Sequence, residues 1–409
     1  MGKIDELIKQ LCPDGVKFVK LGDFFDMFKG MSKVSKKWAD TGNCKFIDYL
    51  NIYNNMTVDV TKLQNATVAT FKQNNLKEGD ILFTCASETP YECAISAVIR
   101  EPIAENTFLD DHLNGIRVKR EFKEMVLPAF INYYFYSVAF RKSICKIVRG
   151  VTRFYIVNKS FLNIMIPLPP LAVQKEIVEI LDTFTGMIDN LQKELEQRQK
   201  QFEYYREILF AKRHSELKWE YIKNIALNCY AGATPSTKNK EYWEGGNIPW
   251  MSSGEVHQGQ VLRVEGRITQ KGYDHCSTKM VPRDSVVIAL AGQGKTRGTV
   301  AITRIELCTN QSICAIVPDK TKVLPDYLYY YLKGQYFDLR RLSSGDGTRG
   351  GLNLKMINNY GIPIVSLGHQ REIVEILDTF EALISNIKQE IALRQKQYEY
   401  YREKLLTFE

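Results

Sequence analysis

Asp111 followed by Glu121-Phe122-Lys123 has the residue types of a metal-dependent nuclease, one acid and then a Glu-x-Lys pair. Such triplets recur by chance, and the second half of the chain offers no counterpart, so solvated charge is the simpler reading. Ala289–Thr296 (ALAGQGKT) fits a relaxed phosphate-binding loop with Ala in place of the first Gly. That chemistry needs a strand before the loop and a helix after it, so that the helix N-terminus faces the phosphate. Here Arg297–Ile302 reads as a second strand, which leaves three readings: a nucleotide site, a basic hairpin touching DNA, or a plain turn. The histidines (His112, His214, His257, His275, His369) are dispersed and form no ligand spacing. No nucleophile with a partner stands out, and no glycine-rich cofactor loop. Pro169-Pro170 lacks the flanking amide or acid and the aromatic of an amino-methyltransferase tetrapeptide. These absences favour a binding protein with no metal and no cofactor of its own.

Basic residues among polar and aromatic ones remain. Arg or Lys can bond guanine bidentately in the major groove, and Asn or Gln can do so to adenine. The candidate DNA contacts are Lys33, Lys36 and Lys37; Arg149, Thr152 and Arg153; Gln293, Lys295 and Arg297; and Thr348 with Arg349. For any one of them a solvated charged face is the alternative. Thr348-Arg349 falls 196 residues after Thr152-Arg153, which singles out that pair, although a shared structural role explains it equally well.

The element that must position these groups is written twice. The stretch from Gln174 to Leu209 returns from Gln370 to Leu405 without a gap, about two thirds identical. Each copy carries an apolar seam alternating four and three: Ile177, Leu181, Phe184, Ile188, Leu191, Leu195, Arg198, Phe202 in the first, and Ile373, Leu377, Phe380, Ile384, Ile387, Ile391, Arg394, Tyr398 in the second. That is the pattern of a left-handed coiled coil, and each copy would make a rod of ~54 Å. The arginine on each seam is expected to snorkel outward. The segments outside the rods retell one story in different words. Short β-branched runs at Cys44–Tyr49, Ala66–Thr70, Asp80–Thr84, Ala94–Arg100 and Gly115–Lys119 predict a curled, mostly antiparallel sheet. Leu127–Phe140 predicts one aromatic helix, and Phe161–Pro167 a final apolar run. In the second half, Arg283–Ile288 aligns with Glu78–Phe83, and Ile248–Met251 with Lys45–Asp48.

The predicted fold is α+β: two mixed α/β domains of duplicated design, 1–165 and 213–362, separated by two long antiparallel coiled-coil helices in 166–212 and 363–409, with pseudo-two-fold symmetry. Compact domains with close termini would place a head at each end of the rod and suit two half-sites on a duplex. The net charge of +8 points the same way. The two repeated stretches carry −3 and −1, leaving +12 on the rest, as a polyanion partner would require. No apolar run approaches a membrane span and the N-terminus has no apolar signal core, while nine scattered cysteines without C-x-x-C fit reduced thiols in a cytoplasm.

The layout resembles the specificity subunit of a type I restriction–modification enzyme. The resemblance rests on the order head, helix, head, helix, and on the junction Ile166-Pro167-Leu168-Pro169-Pro170 through Ile177, echoed by Ile362-Pro363-Ile364 through Ile373. Ile248-Pro249-Trp250 and Thr309-Asn310-Gln311 add to it; the second junction lacks the Pro-Pro pair. The resemblance implies a subunit with no catalytic centre, whose heads are target-recognition domains that each read one half of a bipartite double-stranded DNA site. Its rod would fix the spacer and dock two adenine-methyltransferase subunits, and restriction subunits would complete the complex. Methyl donor, ATP and magnesium would belong to those partners. The alternatives are a stand-alone DNA-binding regulator and a self-contained metal-dependent nuclease.

Overall fold

The computed structural model describes residues 2–38, 40–70, 72–211, 218–292, 295–343 and 351–408. The chain divides into two compact units, Met1–Leu191 with Glu390–Glu409, and Gln192–Gln389. The divisions fall inside the two long helices, Leu171–Ala211 and Leu367–Leu406, so each helix is shared between the units.

In the first unit a four-stranded antiparallel sheet runs in the order Phe25–Lys29, Leu113–Val118, Ile81–Thr84, Ser96–Val98. A second sheet orders Val34–Lys37, Gln64–Val68, Cys44–Ile47 and Thr107–Leu109, the last pair parallel. The aromatic stretch makes two helices, Pro128–Phe135 and Val138–Ile147, where one was expected. The break has a local cause: the Ser137 side chain accepts from the Phe140 N–H and caps the second helix. The apolar run before the proline junction is likewise split, into a short helix Asn158–Leu162 and the strand Met165–Pro167, which pairs with Phe18–Lys20.

The second unit repeats this skeleton. Its main sheet runs Ala226–Ala231, Ile313–Pro318, Val286–Ala289, Val300–Thr303, with Gln260–Val261 added at the edge. Lys218–Tyr221 pairs with Gly361–Ile364 as Phe18–Lys20 pairs with Met165–Pro167. Helices Pro325–Gly334 and Tyr336–Leu342 follow. The parallel pair recurs as Trp250 with Cys308 and Met251 with Thr309. It corrects the alignment of the halves by one residue. The Met251 carbonyl accepts from the Asn310 N–H, and the Ile47 carbonyl accepts from the Asp110 N–H, so Met251 matches Ile47 rather than Asp48. Close backbone approach fixes the same crossing in both units. A Cβ on Gly30 would lie 1.9 Å from the Asp110 carbonyl oxygen, and one on Gly232 would lie 1.9 Å from that of Thr309.

Each head is fastened to a long helix by the same two devices. Gln174 is fully buried; its Oε1 accepts from the Leu127 N–H (2.8 Å), and its Nε2 donates to the carbonyls of Met125 (2.8 Å) and Pro169 (2.7 Å). Gln370, also fully buried, accepts from the Leu324 N–H (2.8 Å) and donates to the carbonyls of Lys322 (3.1 Å) and Val365 (2.9 Å). About two turns further on, the Tyr133 hydroxyl donates to Asp182 at 2.6 Å, and the Tyr330 hydroxyl donates to Asp378 at 2.6 Å. Arg100 also donates to Asp182 (2.7 Å). Burial pushes the Asp378 carboxyl upward.

Ile177, Leu181 and Ile188 of the first long helix are buried in the first unit's core with Tyr398, and Phe184 packs against it. In the second unit Phe202 and Leu377 are buried in the core, with Ile373, Phe380 and Ile384 packed against it. Ile387 is buried, and Leu191, Leu195 and Ile391 are half-buried. The seam arginines turn back to their own helices. Arg198 donates to Glu194 and Gln201, and Arg394 donates to Glu390 and Gln397. Among the described residues no helix is long and apolar enough to cross a membrane.

Candidate nucleic-acid interface

Lys33 and Lys36 are exposed at and on the edge strand Val34–Lys37, whose other side pairs with Gln64–Val68. Lys37 is placed differently. Its ammonium lies 3.2 Å from the buried Asp110 carboxylate and also bonds Asp111, and its side chain is only 15 % exposed. The bonds from Asp111 and Asp110 outweigh desolvation and raise the Lys37 pKa, and the same contact holds Asp111 below the usual carboxylate range against burial. Asp110, Asp111 and His112 cluster closely enough to suggest a cation site, but the lysine ammonium bonds both carboxylates there. Next to Lys37, Trp38 stands 62 % exposed with its ring edge-on to Phe46.

Arg149, Thr152 and Arg153 sit at the tip of a hairpin formed by Val148–Arg149 and Phe154–Ile156, and all three are exposed. Gly150 has φ +133°, and a Cβ there would lie 1.9 Å from the Arg153 carbonyl oxygen, so the tip demands glycine. Exposed arginines on a tight, fixed hairpin have the form of a phosphate- or base-contacting tip.

In the second unit Val286–Ala289 enters the ALAGQGKT loop and the chain returns as Val300–Thr303, antiparallel to it. Among the described residues a strand and not a helix follows the loop, so it lacks the N-terminus that a nucleotide phosphate would need. The loop is a hairpin with Lys295 exposed and Arg297 half-buried. Two residues that the sequence reading missed brace it. The Tyr336 hydroxyl donates to the Lys295 carbonyl (3.0 Å), and Arg340 donates to the Arg297 carbonyl (3.2 Å). Gln293, Thr348 and Arg349 lie outside the described residues.

The acid and Glu-x-Lys triplet is not assembled. The strand Leu113–Val118, ~20 Å long at the usual rise, separates Asp111 from Glu121 and Lys123, both exposed at a 3-10 turn.

One residue missed in the first unit is Arg141, 4 % exposed and without a carboxylate partner among the described residues. It donates to the carbonyls of Phe135 (2.6 Å), Tyr91 (3.3 Å), Cys93 (2.8 Å) and Ala94 (2.8 Å). Burial lowers its pKa to about 10. Its work is to fix the turn that carries Glu92, beside the hairpin tip. The one arginine in Val138–Ile147, directly after Phe140, was the available signal.

These features define a class: a duplicated α+β protein whose two heads share one skeleton, are pinned to long helices in the same way, and carry basic hairpins. The chain belongs to the family of the type I restriction modification DNA specificity domain, whose model matches residues 13–198 and 219–393. It is 36% identical over 267 residues to the EcoR124I/EcoR124II specificity subunit of Escherichia coli, covering 63% of this chain and 66% of that one. It is 33% identical over 169 residues to the MjaIX specificity subunit of Methanocaldococcus jannaschii, covering 40% and 38%. The chain thus spans just under two thirds of the first relative's length and less of the second. Its fold is that of the type I restriction–modification S subunit of M. genitalium, with TM-score 0.59, 16% identity and 96% of each chain covered. A chain from a study of complex assembly and conformational transition in the type I system matches with TM-score 0.61 at 18% identity, over 96% of this chain and 97% of that one.

Proposed function

We propose that this chain is the non-catalytic DNA-recognition subunit of a cytoplasmic type I restriction–modification complex. The single observation that carries the reading is the family match over both halves of the chain, in line with the names of its relatives. The head 1–165 reads one half of a bipartite duplex site and the head 213–362 the other. The helical segments 166–212 and 363–409, through their paired seams, set the unread spacer and carry two adenine-methyltransferase subunits, to which restriction subunits add. Lys33, Lys36, Arg149, Thr152 and Arg153 face DNA from the first head. Gln293, Lys295, Arg297, Thr348 and Arg349 do so from the second. Lys37 serves the first head by holding Asp110 and Asp111.

The test is coexpression with the neighbouring methyltransferase in a methylation-free host, followed by genome-wide mapping of modified adenine. The expected result is a split motif, and exchange of residues 213–362 changes one part of it only. A chain that binds DNA but copurifies with no methyltransferase would instead be a stand-alone regulator. Cutting by the purified chain with a divalent metal, abolished by Glu121→Ala, would make it a nuclease.

A further inference from the structure

Beside the Arg149–Arg153 hairpin the first unit holds a cavity of about 470 Å3, lined by Tyr49, Tyr53, Ser87, Glu92, Arg153 and the exposed Glu88 among others. Four local structures build it. The strand Phe154–Ile156 of the hairpin pairs on its other side with Ala86–Ser87, Phe154 opposite Ser87, which sets the tip beside Ser87. The helix Tyr49–Asn54 is capped by Asp48, which accepts from the Asn51 N–H. Tyr49 and Tyr53 lie one turn apart on it with rings stacked at 5.5 Å. Glu92 ends the turn Pro90–Glu92; its two oxygens accept from the Tyr53 hydroxyl (3.2 Å) and the Ser87 hydroxyl (2.9 Å), and the Thr89 side chain bonds it as well. Arg141 holds the carbonyls of Tyr91, Cys93 and Ala94, on both sides of Glu92. The Ser87 hydroxyl, chiefly, keeps Glu92 below the usual carboxylate range, so it is an anion at neutral pH.

A fixed carboxylate beside a DNA-contacting tip is costly against phosphates, and it is useful only opposite a donor. Its remaining lone pairs accept and cannot donate. In the major groove guanine and thymine offer acceptors to this position, and adenine sets its amine beside the N7 acceptor. Cytosine alone presents an amine with no acceptor of its own. We infer that this cavity reads a cytosine: Glu92 accepts from the exocyclic amine, Arg153 donates to the guanine of the same pair, and the stacked tyrosines wall the site. The inference deepens the proposed function and rests on the first head being a DNA reader.

The experiment uses the whole subunit with its methyltransferase and compares wild type, Glu92→Gln and Glu92→Ala by adenine-methylation mapping and by copurification of the complex. Gln keeps a carbonyl acceptor for one of the Ser87 and Tyr53 hydroxyls and turns its amide on the other, which can accept, and that amide suits adenine. The expected result for Glu92→Gln is an intact complex in which one C·G position, in one half of the motif, becomes degenerate. Modification of sites substituted there should rise by roughly 5- to 150-fold relative to cognate sites. Glu92→Ala should lower cognate modification without gaining a base, and the other half-site should not change. An unchanged motif and rate in both variants would overturn the inference. So would loss of the complex in Glu92→Gln, which would make Glu92 a framework residue. If the wild type itself yields no split motif, the parent reading falls and this inference falls with it.

Discussion

Phe184 stacks on Tyr401 with ring centroids 5.2 Å apart and planes 22° from parallel. In the other unit Phe380 stacks on Tyr205, also at 5.2 Å, with planes at 28°. The two phenylalanines stand 196 residues apart in the chain, and so do the two tyrosines. In each unit an early residue of one long helix meets a late residue of the other, as an antiparallel pairing requires. The early segment of each copy therefore packs against the late segment of the other, and neither can change alone without losing fit. Aromatic pairs add ~0.5–1.5 kcal/mol beyond their buried area. Double-mutant cycles with Phe184→Ala and Tyr401→Ala, and with Phe380→Ala and Tyr205→Ala, should give couplings of about 1 kcal/mol each, read by denaturant unfolding. A coupling near zero in either unit would show that the ring contact there contributes nothing.

The buried glutamines should be among the most sensitive positions in the chain. Truncating Gln174 or Gln370 strands one N–H and two carbonyls, and an unmade buried bond costs ~1–3 kcal/mol. Gln174→Ala and Gln370→Ala should each lower stability by at least ~3 kcal/mol. Gln174→Glu adds a sign that can be checked. An ionised carboxylate would face the carbonyls of Met125 and Pro169, so its pKa in the folded chain must rise above the ordinary ~4.3. The penalty is then absent below the unfolded pKa and grows as pH rises through the folded value. Gln174→Glu should thus lose stability relative to wild type between acid and neutral pH. Thermal unfolding across that range measures it, and a constant difference would refute the assignment.

The basic strand separates two kinds of lysine. Lys33 and Lys36 are exposed, whereas Lys37 neutralises Asp110 and Asp111. Lys33→Ala and Lys36→Ala should leave thermal unfolding unchanged and each lower the slope of log affinity against log salt by about 1. Lys37→Met should leave that slope unchanged and destabilise the first unit by ~3 kcal/mol, because it abandons a buried carboxylate. Titrations at several salt concentrations, beside melting curves, distinguish the two. Equal salt effects at all three positions would place Lys37 on the DNA after all.

What could be read from the sequence follows from what is local. The long helices were legible because their packing period is short and written twice, and the strand runs because glycine, asparagine and aspartate punctuate them. The one-residue slip between Ile248 and Lys45 arose because the halves share a chain path but few residue types there. Only the bonds from Asn310 to Met251 and from Asp110 to Ile47 set the register. The break at Ser137 carried a capping signal that the surrounding aromatics obscured. Glu92, Arg141 and Tyr53 were invisible as a group, since the contacts that unite them join residues 39 to 50 positions apart. The role of Lys37 was hidden for the same reason, its partners lying 73 and 74 residues on.

Gly186 tests how far the two copies are interchangeable. It lies inside the helix Leu171–Ala211, and a Cβ there would meet nothing within 4 Å. The other copy has Ala382 at the matching place, in the helix Leu367–Leu406. Glycine inside a helix costs about 1 kcal/mol relative to alanine, because it surrenders more backbone freedom on folding. With no steric cost to set against that gain, Gly186→Ala should stabilise the chain by ~0.5–1 kcal/mol, a rise of roughly 1–4 °C in Tm for a unit of this size. Ala382→Gly should do the opposite by a similar amount, and neither should alter the methylated motif. Paired melting curves decide it: a Gly186→Ala variant no more stable than wild type would mean that the helix bends at Gly186 and that the bend matters to the fold.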